Sequence, residues 1–193
     1  MLQSPVLVIA GSVRPRRIAP QVAAWIATLG RDATSLSFEV VDLSDWPLPM
    51  DDESAMPNTG QYEHERTRAW SHKVAAAPAF VFVTPQYNGG YPAPLKNAID
   101  HLYEEWAGKP AMIVCYGGHG GGKCAEQLVQ VCQYVKMKPV AIRPALMLPH
   151  ELIVANAGQI DPAATFASQL TEVEQAFAQL KDALADDQVA TEA

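Results

Sequence analysis

Phe80-Val-Phe-Val-Thr84 runs directly into Pro85-Gln-Tyr-Asn-Gly-Gly-Tyr-Pro92, and a helical period resumes at Ala93. The first five residues are aromatic, aliphatic or β-branched, the pattern of a strand buried on both faces. Two prolines and two adjacent glycines in the next eight residues stop helix and strand alike. Beyond them Leu95, Ile99, Leu102 and Trp106 share one face of a helix. Strand, rigid loop and helix in this succession belong to an open α/β sheet, whose ligands bind at the C-terminal ends of strands. The two tyrosines and the Asn88 amide in this loop suit a flat ligand with polar edges.

The flanking chain repeats the theme. Val6-Leu-Val-Ile-Ala10 is another buried strand, broken at Gly11-Ser-Val-Arg-Pro-Arg-Arg17. Ile18, Val22, Ile26 and Leu29 follow at helical spacing, and Gly30 is expected to end that helix. Residues 36–41 read as a strand ending at Asp42, and residues 61–76 as a charged helix carrying Trp70. Between them, residues 43–60 hold Pro47, Pro49, Pro57 and the acidic Asp51-Asp52-Glu53 without any period. Loops of that length are usually functional or mobile.

Downstream, Ala111-Met-Ile-Val-Cys115 is a strand, Tyr116-Gly-Gly-His-Gly-Gly-Gly122 a loop, and residues 123–137 a helix. Residues 140–148 read as an edge strand made irregular by Arg143 and Pro144. A loop to Ile160 leads to Asp161 as cap and Pro162 in the first turn of the last helix. Its face, Phe166, Leu170, Val173, Phe177, Leu180 and Leu184, packs on the sheet or on a partner subunit.

Five strands alternating with five helices make a doubly wound parallel sheet the economical arrangement, with helices on both faces. In the flavodoxin-like order 2-1-3-4-5 the switch point lies between strands 1 and 3. The loops at Gly11 and Pro85 would flank it. One domain over residues 1–185 and a disordered polar tail over 186–193 are expected.

Composition narrows the class. A chain of 193 residues with net charge −7 can bury a proper core and disfavours nucleic-acid binding. Cys115, Cys124 and Cys132 lack CxxC or metal-ligand spacing, and an odd count points to a reducing cytoplasm. The first strand begins too early to leave room for a signal peptide. No apolar run approaches the ~20 residues that cross a bilayer.

Three loops carry candidate chemistry. Gly11 permits a tight turn, Ser12 offers a hydroxyl, and Arg14, Arg16 and Arg17 precede the open N–H groups of a helix start near Ile18. Arginines there are unfavourable with the helix dipole unless an anion offsets them. A terminal phosphate would do so; the plain alternative is a solvated turn. The glycine pattern of dinucleotide-binding loops and the GK[ST] of nucleotide triphosphate loops are both absent.

The Pro85–Tyr91 loop would border a flat ring, or else be a stiff connector. Five glycines within residues 116–122 let the backbone approach a ligand and aim N–H groups at it, and the alternative is a flexible link. His119 is accessory, Cys115 is core, and Asp42 is a turn partner. No catalytic triad, carboxylate pair or metal set emerges at a shared strand edge, so in an enzyme a cofactor carries the chemistry.

Gly11-Ser12-x-Arg14 after strand 1, Pro85-Gln-Tyr-Asn88 after strand 3, Leu95-Lys-Asn-Ala-Ile-Asp100, and the glycine-rich loop after strand 4 together resemble the NADPH-dependent FMN reductase family. The resemblance spans roughly residues 5–140. It implies a flavodoxin-like FMN enzyme that passes hydride from NADPH or NADH to a quinone, free flavin or similar flat acceptor by a ping-pong cycle. A flavin-binding electron carrier without turnover is the rival.

The resemblance further implies that Gly11, Ser12, Arg14, Arg16, Arg17, Ile18 and Ala19 hold the phosphate. Pro85, Gln86, Tyr87, Asn88 and Gly89 would border the ring, and Tyr116, Gly117, Gly118, His119 and Gly120 its pyrimidine side. Arg17 and Ala19 stand where many members carry Ser and Asn, and Gln86 where many carry Glu. A homodimer or homotetramer is implied too, with Trp106 and the last helix as candidate contacts.

Overall fold

The computed structural model describes residues 4–192. Strands β1 (Val6–Ala10), β2 (Phe38–Asp42), β3 (Phe80–Pro85), β4 (Pro110–Gly117), β5 (Lys138–Pro139) and β6 (Ala145–Met147) form one sheet. Its order is β2-β1-β3-β4-β5, every pairing is parallel, and β6 also pairs with β4. This is the flavodoxin-like order expected from the alternation of elements.

The expected fifth strand differs in being split. β5 pairs with Pro110 and Ala111, while β6 pairs with Cys115 to Gly117. Between them the chain leaves the ladder: Ile142 N donates instead to Gln179 Oε1 at 2.9 Å, and Pro144 has no N–H to offer. The Pro144 carbonyl still accepts from Cys115 N at 3.0 Å, which steers the chain back.

Helices α1 (Ala19–Thr34), α2 (Glu65–Ala75), α3 (Ala93–Asp100), α4 (Gly122–Tyr134), α5 (His150–Ala155), α6 (Pro162–Thr165) and α7 (Leu170–Glu192) complete the chain. Alternate strand residues point to opposite faces and create two cores. Leu7, Ile9, Phe80, Phe82 and Ile113 meet Trp70, Leu95, Ile99 and Trp106 on one side. Val8, Val81, Val83, Met112 and Val114 meet Val22, Ile26, Phe166, Val173 and Phe177 on the other. The apolar face of the last helix is thus spent on its own sheet.

Several boundaries depart from expectation, α2 starting at Glu65 and α4 ending at Tyr134 among them. α1 runs through Gly30, because a Cβ there would stand 2.6 Å from the Phe38 ring and 2.9 Å from Phe177. The glycine admits two aromatic rings rather than ending the helix. α3 stops at Asp100, and Trp106 reaches the core from the turn that follows. The last helix is interrupted: Asp161 caps α6 by accepting from Ala163 N and Ala164 N, a tight turn at Ala167–Gln169 follows, and then α7. Residue 193, the last of the expected tail over 186–193, lies outside the described residues.

The long loop before α2 is pinned. The Glu53 carboxylate accepts from Glu63 N at 2.6 Å and His64 N at 3.2 Å, and Arg66 pairs with Asp52 at 2.6 Å. The acidic cluster therefore serves the start of α2, whose own cap residue His64 makes no side-chain cap bond. Asn97 of α3 donates Nδ2 to Pro49 O at 2.7 Å and ties down the other end.

Trp106 is fully buried, donates Nε1 to Ile99 O at 3.1 Å and meets the Phe80 ring edge-on at 4.8 Å. It is unavailable to a partner subunit. Trp106→Ala is expected to cost about 3–5 kcal/mol of unfolding free energy, read from the urea midpoint. Trp106→Phe should lose clearly less.

Candidate functional site

The parallel register of β1 and β3 pairs Ala10 with Val83, so the two chains leave the sheet side by side. With the end of β4 they open onto a cleft of about 850 Å³. Arg14, Arg16, Arg17 and Ile18 line it from the loop after β1, Pro85, Gln86 and Tyr87 from the loop after β3, and Tyr116, Gly117 and Gly118 from the end of β4. The cationic loop and the aromatic loop, distant in sequence, form one crevice.

Direct contacts join the two loops. Ser12 Oγ and Tyr87 Oη share a hydrogen bond at 2.8 Å, and the Arg14 guanidinium lies over the Tyr87 ring, 5.0 Å from its centroid. Gly11 makes this approach feasible. A Cβ there would meet Leu95 Cδ2 at 3.1 Å and Thr84 Oγ1 at 3.2 Å. Its φ is not positive, so close approach, and not a left-handed turn, is the reason for glycine here.

The arginines divide their work. Arg17 Nη2 donates to Asp42 Oδ2 at 2.6 Å and to Ser44 Oγ at 2.6 Å, which ties the loop to the end of β2. Burial alone would raise the Asp42 carboxyl, but the bonds from Arg17 and Ser44 outweigh it and hold the group below the usual range. Arg14 and Arg16 are exposed at the cleft. α1 opens beside them at Ile18 with no side-chain cap. Pro20 brings no N–H to its first turn and Val22 N bonds Ile18 O at 3.1 Å, so only the N–H groups of Ala19 and Gln21 are left without an intrahelical partner there. Ala19, its first residue, is fully buried and does not line the cleft.

The loop after β3 is a tight reversal. Tyr87 and Gly90 exchange backbone bonds at 2.8 and 3.0 Å around Asn88 (φ 52°) and Gly89 (φ 86°), both left-handed. That geometry is why Asn-Gly occupies the tip. It also carries Asn88 and Gly89 outside the residues that line the cleft. Gln86 is fixed from both sides: its N donates to Tyr116 O at 2.9 Å and its Oε1 accepts from Cys124 N at 3.2 Å. A glutamine amide oxygen here does the capping of α4 that the glycine before it does not.

In the glycine-rich loop, Gly117 and Gly118 face the cleft, while His119 is exposed and lies outside it. Gly120 is buried, and its N–H turns inward to Gly117 O at 3.0 Å. The Tyr116 phenol is pushed up by burial first and by Tyr87 second, so it stands as a neutral hydrogen-bonding group at the wall. Behind this loop Cys115 Sγ and Cys124 Sγ are 3.4 Å apart, both reduced and buried.

The fourth wall comes from residues 149–160, which the sequence presents as a loop. Residues of α5 and the turn after it, among them Leu152, Ile153, Asn156 and Gly158, complete the cleft. The available signal was Leu152-Ile-Val-Ala155 following the last strand without a polar face of its own. Among the described residues no group of three or more potential metal ligands occurs. The donors gathered instead, arginines and helix N–H groups at one end and tyrosines, an amide and glycine backbone at the other, fit an elongated ligand with an anionic tail and a flat ring.

Residues 4–150 match the family described as NADPH-dependent FMN reductase. An NAD(P)H-dependent FMN reductase of Schizosaccharomyces pombe is 53% identical over 174 residues, covering 89% of this chain and 86% of its own. A 2-hydroxy-1,4-benzoquinone reductase of Burkholderia is 30% identical over 154 residues, covering 76% and 79%. The structure of FerB, a flavoenzyme NAD(P)H:(acceptor) oxidoreductase of Paracoccus denitrificans, superposes with a TM-score of 0.67 at 20% identity, covering 93% of this chain and 98% of that one.

A carboxyl whose pKa is depressed on folding stabilises the protein above its unfolded value and loses that contribution as pH falls through the native one. The Asp42 link should therefore weaken below about pH 4, close to the unfolded carboxyl value. Urea midpoints recorded from pH 7 to pH 3 should fall less steeply for Asp42→Asn than for the unmodified chain. Parallel curves would show that the pair contributes nothing.

Proposed function

This chain belongs to the NADPH-dependent FMN reductase family, and from that premise we propose that it is an NAD(P)H-dependent flavoenzyme delivering electrons to quinones, free flavin or similar flat acceptors. The observation that carries the assignment to this cleft is the junction of Ser12 and Arg14 with Tyr87, which joins a phosphate-binding end to a ring-binding end. FMN held here would supply the redox chemistry between nicotinamide and acceptor.

The residues supply binding and placement. Arg14 and Arg16, with the open start of α1, offer charge-assisted donors to the phosphate. Ser12 is fully buried outside the cleft lining, where its hydroxyl holds Tyr87 in place. Arg17 acts one step back, because Asp42 and Ser44 already hold it, and it keeps the loop in position. Gln86 and Tyr87 border the ring, and the backbone of Gly117 and Gly118 borders its pyrimidine edge without side chains in the way. Such N–H groups stabilise negative charge that develops on reduction. Hydride transfer needs no side-chain acid or base, so placement and electrostatics are what the chain contributes.

We assign the chain to one flavodoxin-like domain that works as a homodimer or homotetramer in the cytoplasm. Exposed Tyr134 and Met147 leave apolar surface for subunit contacts, whereas Trp106 and the apolar face of α7 do not. Among the described residues no helix is long and apolar enough to cross a membrane.

Purified protein should carry, or take up, FMN and show its visible absorption. It should then oxidise NADPH or NADH continuously with 1,4-benzoquinone, giving parallel double-reciprocal lines. Reduction that stops after one equivalent would assign an electron carrier instead, and a protein that stays colourless with added FMN would defeat the proposal. Arg14→Ala should weaken FMN binding about 10- to 100-fold, as expected for losing a charge-assisted bond of about 1.5–3 kcal/mol. Arg17→Ala should lower thermal stability more than it lowers FMN affinity.

A further inference from the structure

We propose that residues 148–160 are a strap laid along the bound cofactor, from its ring end to its phosphate end, and that this strap sets how fast FMN leaves. The inference rests on the reading of the cleft as the FMN site and adds the element that retains it.

The strap is hydrogen-bonded at its two ends, and between them Ile153 touches the glycine loop. At one end β6 leads out of the sheet, and Leu148 N donates to Gly117 O at 2.9 Å. There Ile153 lies over the glycine loop so closely that a Cβ on Gly118 would touch Ile153 Cδ1 at 3.0 Å. At the other end Gly158 sits on the phosphate loop, where a Cβ would be 3.2 Å from Arg16 Cα. Gln21 of α1 holds that end by donating Nε2 to Gly158 O at 3.1 Å. The segment thus crosses from the end of β4 to the loop after β1, the axis along which a ring-and-phosphate ligand must lie.

Between these anchors α5 buries none of its six residues. Ile153 and Val154 are 42% and 69% exposed, although both are apolar and line the cleft. The anchors are flanked by left-handed backbone at Asn156 (φ 43°) and Gly158 (φ 73°), which bends the chain back toward α1. A short helix with no buried residue contributes little to folding and opens at low cost. A flat ring beneath it would give Leu152 and Ile153 the apolar partner they lack, so closure and cofactor binding stabilise each other.

The test measures release. Gly158→Val places a β-branched residue at a left-handed position and against Arg16, lifting the phosphate end of the strap. Gln21→Glu keeps the side-chain size and removes the donor to Gly158. FMN dissociation is followed by the rise in flavin fluorescence after dilution of the holoprotein, and both variants should release FMN about tenfold faster than the unmodified chain. Far-UV circular dichroism establishes that they are folded.

A second readout needs no substitution: glutamyl endopeptidase should cut after Glu151 in the apoprotein at least fivefold faster than with saturating FMN. Wild-type release rates in folded variants, or cleavage at equal rates with FMN visibly bound, would overturn the strap while leaving the cofactor assignment intact. Should Gly158→Val fail to fold, Gln21→Glu and the cleavage rates decide. Failure of the unmodified protein to bind FMN would instead remove the reading on which the strap rests.

Discussion

The pairing of β1 with β3 is the constraint from which the rest of this structure follows. Two parallel strands in direct register end at the same edge, so the loops that follow them must share one space. Here one loop carries arginines and the other tyrosines, and a single hydrogen bond between Ser12 and Tyr87 closes the gap between them. Had another strand separated β1 from β3, the same residues would have faced different crevices.

The surroundings work to hold that junction still. Gly11 lets α3 and Thr84 come close beneath it, Asp42 and Ser44 take up Arg17 from the side, and Gln86 is bonded both to β4 and to the start of α4. Even the long acidic loop is held, by Glu53 at the start of α2 and by Asn97 at Pro49. Three of the four cleft walls are therefore rigid and preformed, as suits placement of a reactive ring. The fourth, α5 with its following turn, is hydrogen-bonded to the rest of the fold at its ends, and α5 buries none of its residues. Rigidity and access are divided between different segments of the chain.

Much of this was legible beforehand, for reasons that lie in local chemistry. Phe80-Val-Phe-Val-Thr84 and Val6-Leu-Val-Ile-Ala10 cannot satisfy so many apolar side chains except between two helical layers, and Pro85 and Gly11 mark where they end. Asp161 and Pro162 announced a helix start that the structure bears out. Other features depended on neighbours remote in sequence. Gly30 looks like a helix stop until Phe38 and Phe177 are seen packed against it, and Trp106 looks like a contact for a second subunit until Phe80 and Trp70 surround it.

The residues by themselves determined the strand–loop–helix alternation, the order of the sheet and the kinds of ligand that two of its loops could greet, because apolar period and turn chemistry are written within a few positions of one another. Tertiary structure alone decided which arginines stay exposed at the cleft and which is taken up by Asp42, which loop residues turn outward, and that a six-residue helix walls the site. Those outcomes are contests between partners brought together only by folding. A guanidinium or an amide takes whichever acceptor the packed chain presents, and no local pattern names that acceptor in advance.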